Sequence, residues 1–244
     1  MNIANNTILI TGGASGIGFA LAKRFVKAGN KVIICGRRLE QLEKAKTECP
    51  ELSIIQSDVS KIAERHALFQ KVTTEFPQLN IVINNAGIQN RPGSFAQPQD
   101  WAQHELEMEI NLKAPMHLSM LFIPHLQKQT NPYIMNVSSG LAFLPLSFMS
   151  TYCATKAALH SFTMSLRHQL QNTSIKVVEI IPPAVNTDLG GVGLHNDGAP
   201  LDAFADHAFA QIAKGELEFG YLFSEKGRNA SREELNNMFH MMNK

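Results

Sequence analysis

Short runs rich in valine, isoleucine and leucine alternate with helix-like segments along most of this chain, and no other feature restricts its fold so much. The strand-like runs fall at residues 7–11, 31–36, 52–57, 79–84, 132–138 and 175–181. Helix-like segments fill the intervals, ending near 28 for the first and covering about 39–48, 60–76, 100–128 and 151–171 for the rest. Continuous apolar strands, each followed by a helix, are the pattern of a parallel sheet covered on both faces. The expectation is an α/β, doubly wound parallel sheet with helices on both faces. Gly29-Asn30 suits the end of the first helix, and Ser60 suits the N-cap of the segment 60–76. With no repeat, low-complexity tract or linker, residues 1–244 are expected to form a single domain.

Past Asp188 the rhythm changes. Gly190, Gly191, Gly193 and Gly198 crowd a stretch ending at Pro200, so about 188–200 is expected to be a mobile loop. A helix-like segment at 201–214 and a short apolar run at 219–223 follow. A last helix is expected at 231–242, where Ser231 and Glu234 have the spacing of a capping box.

Composition narrows the class of function. Lysine plus arginine exceed aspartate plus glutamate by 22 − 21 = +1, which gives no electrostatic footprint for nucleic acid or anionic membrane. Hydrophobic residues make up 44% of the chain, enough for a sizeable core. Cys35, Cys49 and Cys153 form neither a metal-like spacing nor an even disulfide set, which fits a reducing cytoplasm. The polar start runs straight into the first strand, so no secretory signal is expected. The most apolar stretch, about 110–126, is broken by Lys113, His117 and two prolines and is no membrane span. The nine histidines include no His-Glu-x-x-His pair, so no metal is expected.

Between the first strand and helix lies Thr11-Gly12-Gly13-Ala14-Ser15-Gly16-Ile17-Gly18. Glycines here let the backbone turn tightly and approach a pyrophosphate, which the amides and positive end of the next helix would favour. The bland alternative is a tight strand–helix connection. The spacing is Gly-x-x-x-Gly-x-Gly, placed where a dinucleotide fingerprint must stand.

A second stretch carries acid/base residues. Tyr152 and Lys156 are four apart, hence one turn from each other on a helix face. A free phenol, with a pKa of about 10, is a poor base at neutral pH. Bringing it to about 7 takes roughly 4 kcal/mol. An ammonium about 4 Å away at an effective dielectric of about 20 supplies a term of that order. Ser139, at the end of a strand-like run, is suited to hold a substrate oxygen beside that phenol. The plain alternative is an exposed lysine beside a half-buried tyrosine. Cys153 points about 100° away from Tyr152 on a helix and reads as packing. Four residues after Asn111 stands Pro115, which has no N–H to give the Asn111 carbonyl and crowds it. A local kink and a free carbonyl are expected there.

Taken in order and spacing, Thr11–Gly18, Asn84-Asn85-Ala86-Gly87, Asn111, Ser139, Tyr152 and Lys156 resemble the short-chain dehydrogenase/reductase family, in its compact single-domain branch with a Rossmann fold. Within it, residues 32–38 and 181–189 look like those of bacterial DltE-like oxidoreductases. The resemblance implies hydride transfer between a nicotinamide and a carbonyl or secondary alcohol carbon. Asn111, Ser139, Tyr152 and Lys156 would be the catalytic set, with the Asn111 carbonyl and a water in a proton relay. It also implies cofactor contacts at Gly12, Ser15, Gly16, Ile17, Gly18, Asp58, Val59, Asn85, Ala86, Gly87, Tyr152, Lys156, Pro182, Val185 and Thr187. Asp58 equally suits a cap for the helix near Ser60, and Pro183 replaces the family's usual glycine.

NAD-users of this fold offer a carboxylate after the second strand, where this chain has Gly36-Arg37-Arg38. Arginine forks match a phosphate, so NADP(H) is favoured over NAD(H); a solvated helix start is the alternative reading of Arg37 and Arg38. Leu141, Phe143, Leu144, Leu146 and Phe148, with Leu189, Val192 and Leu194, would enclose a small apolar substrate, or else belong in part to the core. The family's usual helix surfaces imply a homodimer or homotetramer. Its usual closing strand, with paired glycines, is missing from the C-terminal part. Two rivals remain: a non-catalytic NADP(H) sensor or scaffold, and a lyase or epimerase that keeps its cofactor bound.

Overall fold

The computed structural model describes residues 2–244. Seven strands form one sheet: β1 (Thr7–Thr11), β2 (Lys31–Gly36), β3 (Ser53–Gln56), β4 (Ile81–Asn84), β5 (Tyr133–Val137), β6 (Lys176–Ile181) and β7 (Glu218–Gly220). Their order is β3-β2-β1-β4-β5-β6-β7 and every pairing is parallel. The order reverses between β1 and β4. A crevice therefore opens at the carboxyl ends of those two strands, where α/β sheets take their ligands.

Helices α1 (Gly16–Lys27), α2 (Leu39–Glu48) and α3 (Ile62–Glu75) cross over between the first four strands. After β4 come α4 (Trp101–Met108) and α5 (Ala114–Leu126), joined by a π-helical turn at Glu109–Lys113. Then follow α6 (Ser150–Gln169), α7 (Leu201–Lys214), α8 (Phe223–Asn229) and α9 (Arg232–Met242). β1 is buried along its whole length, and two apolar clusters lie on opposite faces of the sheet. Phe25, Phe204 and Ile212 join one; Leu68, Phe122 and Leu166 join the other. Consecutive residues of a strand feed opposite faces, as Ile8 and Ile10 against Leu9 show. That is why these strands read as unbroken apolar runs.

One row across the sheet is polar. Asn84, Asn136, Glu179 and Glu218 are successive partners on β4, β5, β6 and β7. Asn84 donates to Asn136 Oδ1 at 2.8 Å, and Asn136 donates to Thr163 of α6 at 2.9 Å. Glu179 is fully buried and accepts from Ser138 and His160.

Four expectations are corrected. The segment 100–128 is not one α-helix: with no N–H on Pro115, the chain inserts a π turn instead of simply kinking, and Ala114 N donates five residues back to Glu109 O. Ser60 does not cap α3. Its amide and hydroxyl both donate to Asp58 Oδ1, and the helix starts after Lys61. A closing strand is present after all, as the three residues of β7, which Glu179 N anchors by donating to Leu217 O. The apolar run 219–223 is thus split between β7 and α8. The capping box of Ser231 and Glu234 is present.

Candidate active site

Thr11 closes β1 and ties the two strands at the crevice together. Its Oγ1 accepts the amides of Asn85 and Ala86, both at 3.0 Å, while Asn85 Nδ2 donates to the carbonyls of Thr11 and Gly12. Gly12 has φ +63°, and a Cβ there would stand 2.8 Å from Ala86 Cα. Gly18 has no room for one either, since Asn85 Nδ2 and the Gly12 carbonyl occupy the space. The turn therefore needs glycine for both shape and contact. Ser15, extended at the N-cap of α1, makes no side-chain capping bond, and the first turn holds no acidic residue. Gly16 and Ile17 begin that helix, so its leading amides and positive end suit a pyrophosphate. Thr187 closes over the turn, its Cγ2 3.4 Å from where a Cβ of Gly16 would be.

Of the other residues expected at the cofactor, Gly87 lies between Asn111 and Lys156: a Cβ on it would be 3.4 Å from Asn111 Oδ1 and 3.7 Å from Lys156 Nζ. Asp58 is half-buried and Val59 buried just past β3. Val185 is buried and bridges Ala199, while the Pro182 carbonyl accepts from Gly140 N at 2.8 Å. Arg37 and Arg38 are exposed past β2, and neither enters an ion pair among the described residues. β2 ends in Gly36, so two exposed guanidinium groups and no carboxylate follow it.

Ser139 follows β5, and Tyr152 and Lys156 stand on the first turns of α6, all three buried. A hydrogen bond from Ser139 favours the ionised form of the Tyr152 phenol. Lys156 Nζ donates to the Val137 carbonyl at 2.9 Å and lies 5.8 Å from the centre of the Tyr152 ring. The expected lowering of the phenol pKa is not what the folded chain shows. Burial raises Tyr152 well above its ordinary value, with smaller contributions from Cys153 and Glu107. Burial also pushes Lys156 down to about 8.

Asn111, on the π turn, exchanges two hydrogen bonds with Ile88: Oδ1 accepts from its amide at 2.9 Å and Nδ2 donates to its carbonyl at 2.8 Å. Nδ2 also reaches Thr155 Oγ1 at 3.3 Å, which fixes the turn against α6 beside Lys156. Cys153 packs as expected: its Sγ exchanges hydrogen bonds with the Leu146 backbone, and burial raises the thiol.

The expected apolar pocket divides. Leu144 is core, and Leu141 and Leu146 pack against Met149, Tyr152 and Cys153. Phe148, Val192 and Leu194 are exposed. Arg91, from the loop after β4, stands over the Phe148 ring at 6.0 Å.

Several residues near the site were not singled out from sequence. His104 shares hydrogen bonds of 2.7 Å with Thr151, next to Tyr152, and with Gln99. Glu107, three residues on, is fully buried. The signal was a polar stripe at i, i+3 and i+7 (His104, Glu107, Asn111), which lies on one face of a helix. The fold also brings His160, Glu179 and Glu218 within 4.8 Å of one another. Their donors are engaged already: Glu179 with Ser138 and His160, Glu218 with Arg167 and Arg228.

Comparison with known proteins agrees with this geometry. The short chain dehydrogenase family matches residues 6–194. Among relatives, an uncharacterized oxidoreductase, DltE, of Bacillus subtilis (strain 168) is 42% identical, covering 100% of this chain and 98% of its own. The NADP-dependent 3-hydroxy acid dehydrogenase YdfG of Escherichia coli (strain K12) is 30% identical over 78% of this chain and 77% of its own. Among solved structures, a 3-ketoacyl-(acyl-carrier-protein) reductase from Brucella melitensis complexed with NADH superposes with a TM-score of 0.81 at 27% identity, covering 89% of this chain and 98% of that one.

Proposed function

The chain belongs to the short-chain dehydrogenase family and is an NAD(P)-dependent oxidoreductase, and on that premise we propose that it interconverts a carbonyl and a secondary alcohol on a small, apolar substrate, with NADP(H) preferred over NAD(H). One observation carries the proposal. Ser139 follows β5 and shares a hydrogen bond with Tyr152, while Lys156 reaches the last carbonyl of β5 at Val137 and stands beside Gly87 in the loop after β4. When bound, the nicotinamide gives or takes a hydride at the substrate carbon. Tyr152 gives or takes the proton on the substrate oxygen, and Ser139 donates a hydrogen bond to that oxygen. Lys156 holds the cofactor ribose and lends positive charge to the phenol. Asn111, held on the π turn by Ile88 and Thr155, would offer its own carbonyl to a relay water, since Pro115 four residues on has no N–H to give it.

The cofactor preference is supported by Arg37 and Arg38, exposed and without acidic partners, and by the NADP named for YdfG. Gly12, Ser15, Gly16, Ile17 and Gly18 would hold the pyrophosphate. Asp58, Val59, Asn85, Ala86 and Gly87 would line the adenosine, and Pro182, Val185 and Thr187 the nicotinamide. The segment 188–200 is free of helix and strand, and Val192 is 87% exposed, which suits a loop that closes over substrate. Met116 and Met120, one turn apart on α5 and both exposed, with Met164 exposed on α6, support a homo-oligomer built on those helices. Three free, buried cysteines suit the cytoplasm, and among the described residues no helix is long and apolar enough to cross a membrane.

The deciding experiment is a panel of carbonyl compounds assayed with both reduced cofactors. Turnover with NADPH at higher kcat/KM than with NADH supports the proposal. Comparable efficiencies overturn the cofactor preference. Cofactor binding without turnover of any carbonyl would leave a sensor or scaffold as the better reading.

A further inference from the structure

Glu107 of α4 is a buried carboxyl that this mechanism leaves unused. The residue has no exposed surface. Its Oε1 accepts the Asn90 amide at 2.8 Å, while its buried Oε2 has no hydrogen-bond partner among the described residues. A carboxylate oxygen in that position is costly unless the group is protonated or a cation stands near. Its neighbours on the inward stripe show what it faces. His104, one turn earlier, bonds Thr151, and Asn111, one turn later, bonds Thr155. Those two contacts bracket Glu107 against the turn of α6 that carries Tyr152 and leads into Lys156.

We propose that Glu107 is a positioning residue of this active site, whose carboxyl acts through Lys156 and Tyr152 and whose protonation state sets the pH window of proton transfer. The inference rests on reading Tyr152 and Lys156 as the acid/base pair. Burial pushes Glu107 up to about 7, against the pull of the Asn90 amide and the Lys156 charge. Burial pushes Lys156 down, and Glu107 is the first of the groups holding it up, ahead of Glu179. Glu107 also adds to the upward push on Tyr152 and on Cys153. Thus Tyr152, Cys153 and Lys156 face it from α6, His104 stands beside it on α4, and the loop after β4 gives it a backbone amide. When ionised, Glu107 keeps the ammonium charged but makes the phenol harder to ionise. When protonated, it releases both.

The test reads Glu107 directly. Infrared spectra of the full-length protein, taken from about pH 5 to about pH 9, follow the carbonyl stretch of a protonated, buried carboxyl. In the wild type this band should vanish as pH rises through about 7, and in Glu107→Gln it should be absent. Glutamine keeps the acceptor for Asn90, so the fold has no reason to change. In Lys156→Met the midpoint should move up by about one unit or more, because the cation opposing protonation is gone. An unmoved midpoint in Lys156→Met, or a wild-type band that survives in Glu107→Gln, overturns the proposal. Should Glu107→Gln fail to fold, the Lys156→Met titration still decides.

A second arm follows alcohol oxidation against pH. Its acidic half-point should fall by about one unit in Glu107→Gln. If the wild type turns over and the two profiles superimpose, this inference alone fails. If the wild type turns over no carbonyl or alcohol, the oxidoreductase reading fails while the infrared arm still measures the coupling.

Discussion

Ser138, the residue after β5, donates a 2.6 Å hydrogen bond to the buried carboxylate of Glu179 on β6, and the next residue is Ser139. The other oxygen of Glu179 accepts from His160 Nδ1 at 2.8 Å. A carboxyl group with two such partners is anchored, and it anchors in turn the backbone that presents Ser139. Tyr152 and His160 both stand on α6, so one buried carboxylate links the strand carrying the serine to the helix carrying the phenol.

Glu179→Ala should therefore destabilise the fold by about 2–4 kcal/mol, since it strips the partner from a buried serine and a half-buried histidine. Denaturant unfolding checks this. Glu179→Gln should recover part of the loss.

The same pair gives a pH signature. A hydrogen bond to Glu179 raises His160 above its ordinary 6.5, with burial opposing and the Glu179 charge assisting. A raised histidine contributes stability that is complete below about 6.5 and is lost as pH rises through its folded value. In His160→Gln the fall in stability above about pH 6.5 should flatten. An unaltered stability curve for that variant would show the pair to be without net effect.

Tyr152→Phe removes only the phenol oxygen. Turnover should fall by about 10²–10⁴-fold or more, as for loss of a general acid. Cofactor affinity, followed by nicotinamide fluorescence, should stay near the wild-type value.

Arg37→Ala with Arg38→Ala should weaken NADPH by roughly tenfold or more, corresponding to loss of charged hydrogen bonds of about 1.5–3 kcal/mol, and leave NADH nearly unaffected. Equal losses for both cofactors would place the arginines elsewhere than at a 2′-phosphate.

Pro115→Ala supplies an N–H four residues after Asn111, where α geometry would direct it to the Asn111 carbonyl. The rate of proton transfer should fall and its solvent isotope effect rise. Unchanged values for both would remove the Asn111 carbonyl from the relay.

The strands could be read from sequence because most of their residues, like Ile8-Leu9-Ile10, feed one or the other face of a covered sheet and are apolar. The glycine turn and the Tyr152–Lys156 spacing were legible for a similar reason: each is a local pattern with one geometric use. What escaped depends on contacts between distant segments. Glu179 sits inside the run Lys-Val-Val-Glu-Ile-Ile, and only β5 and α6 supply the donors that let it be buried. β7 is three residues long and exists because β6 gives it an edge. Ser60 has the chemistry of a cap, but Asp58, two residues away, takes both of its donors. The direction of the Tyr152 shift was missed because pair arithmetic leaves out burial, which acts on phenol and amine alike.

The π turn at Glu109–Lys113 holds more residues per revolution than the helices on either side of it. Cutting one residue from this turn would relax it to ordinary α geometry within the same revolution and leave His104 and Glu107 on their inward face. The same deletion one or two turns away, in regular helix, would swing everything beyond it by about 100° about the axis. The extra residue at this turn is thus the one place in the long segment where the chain could be shortened without turning its inner stripe away.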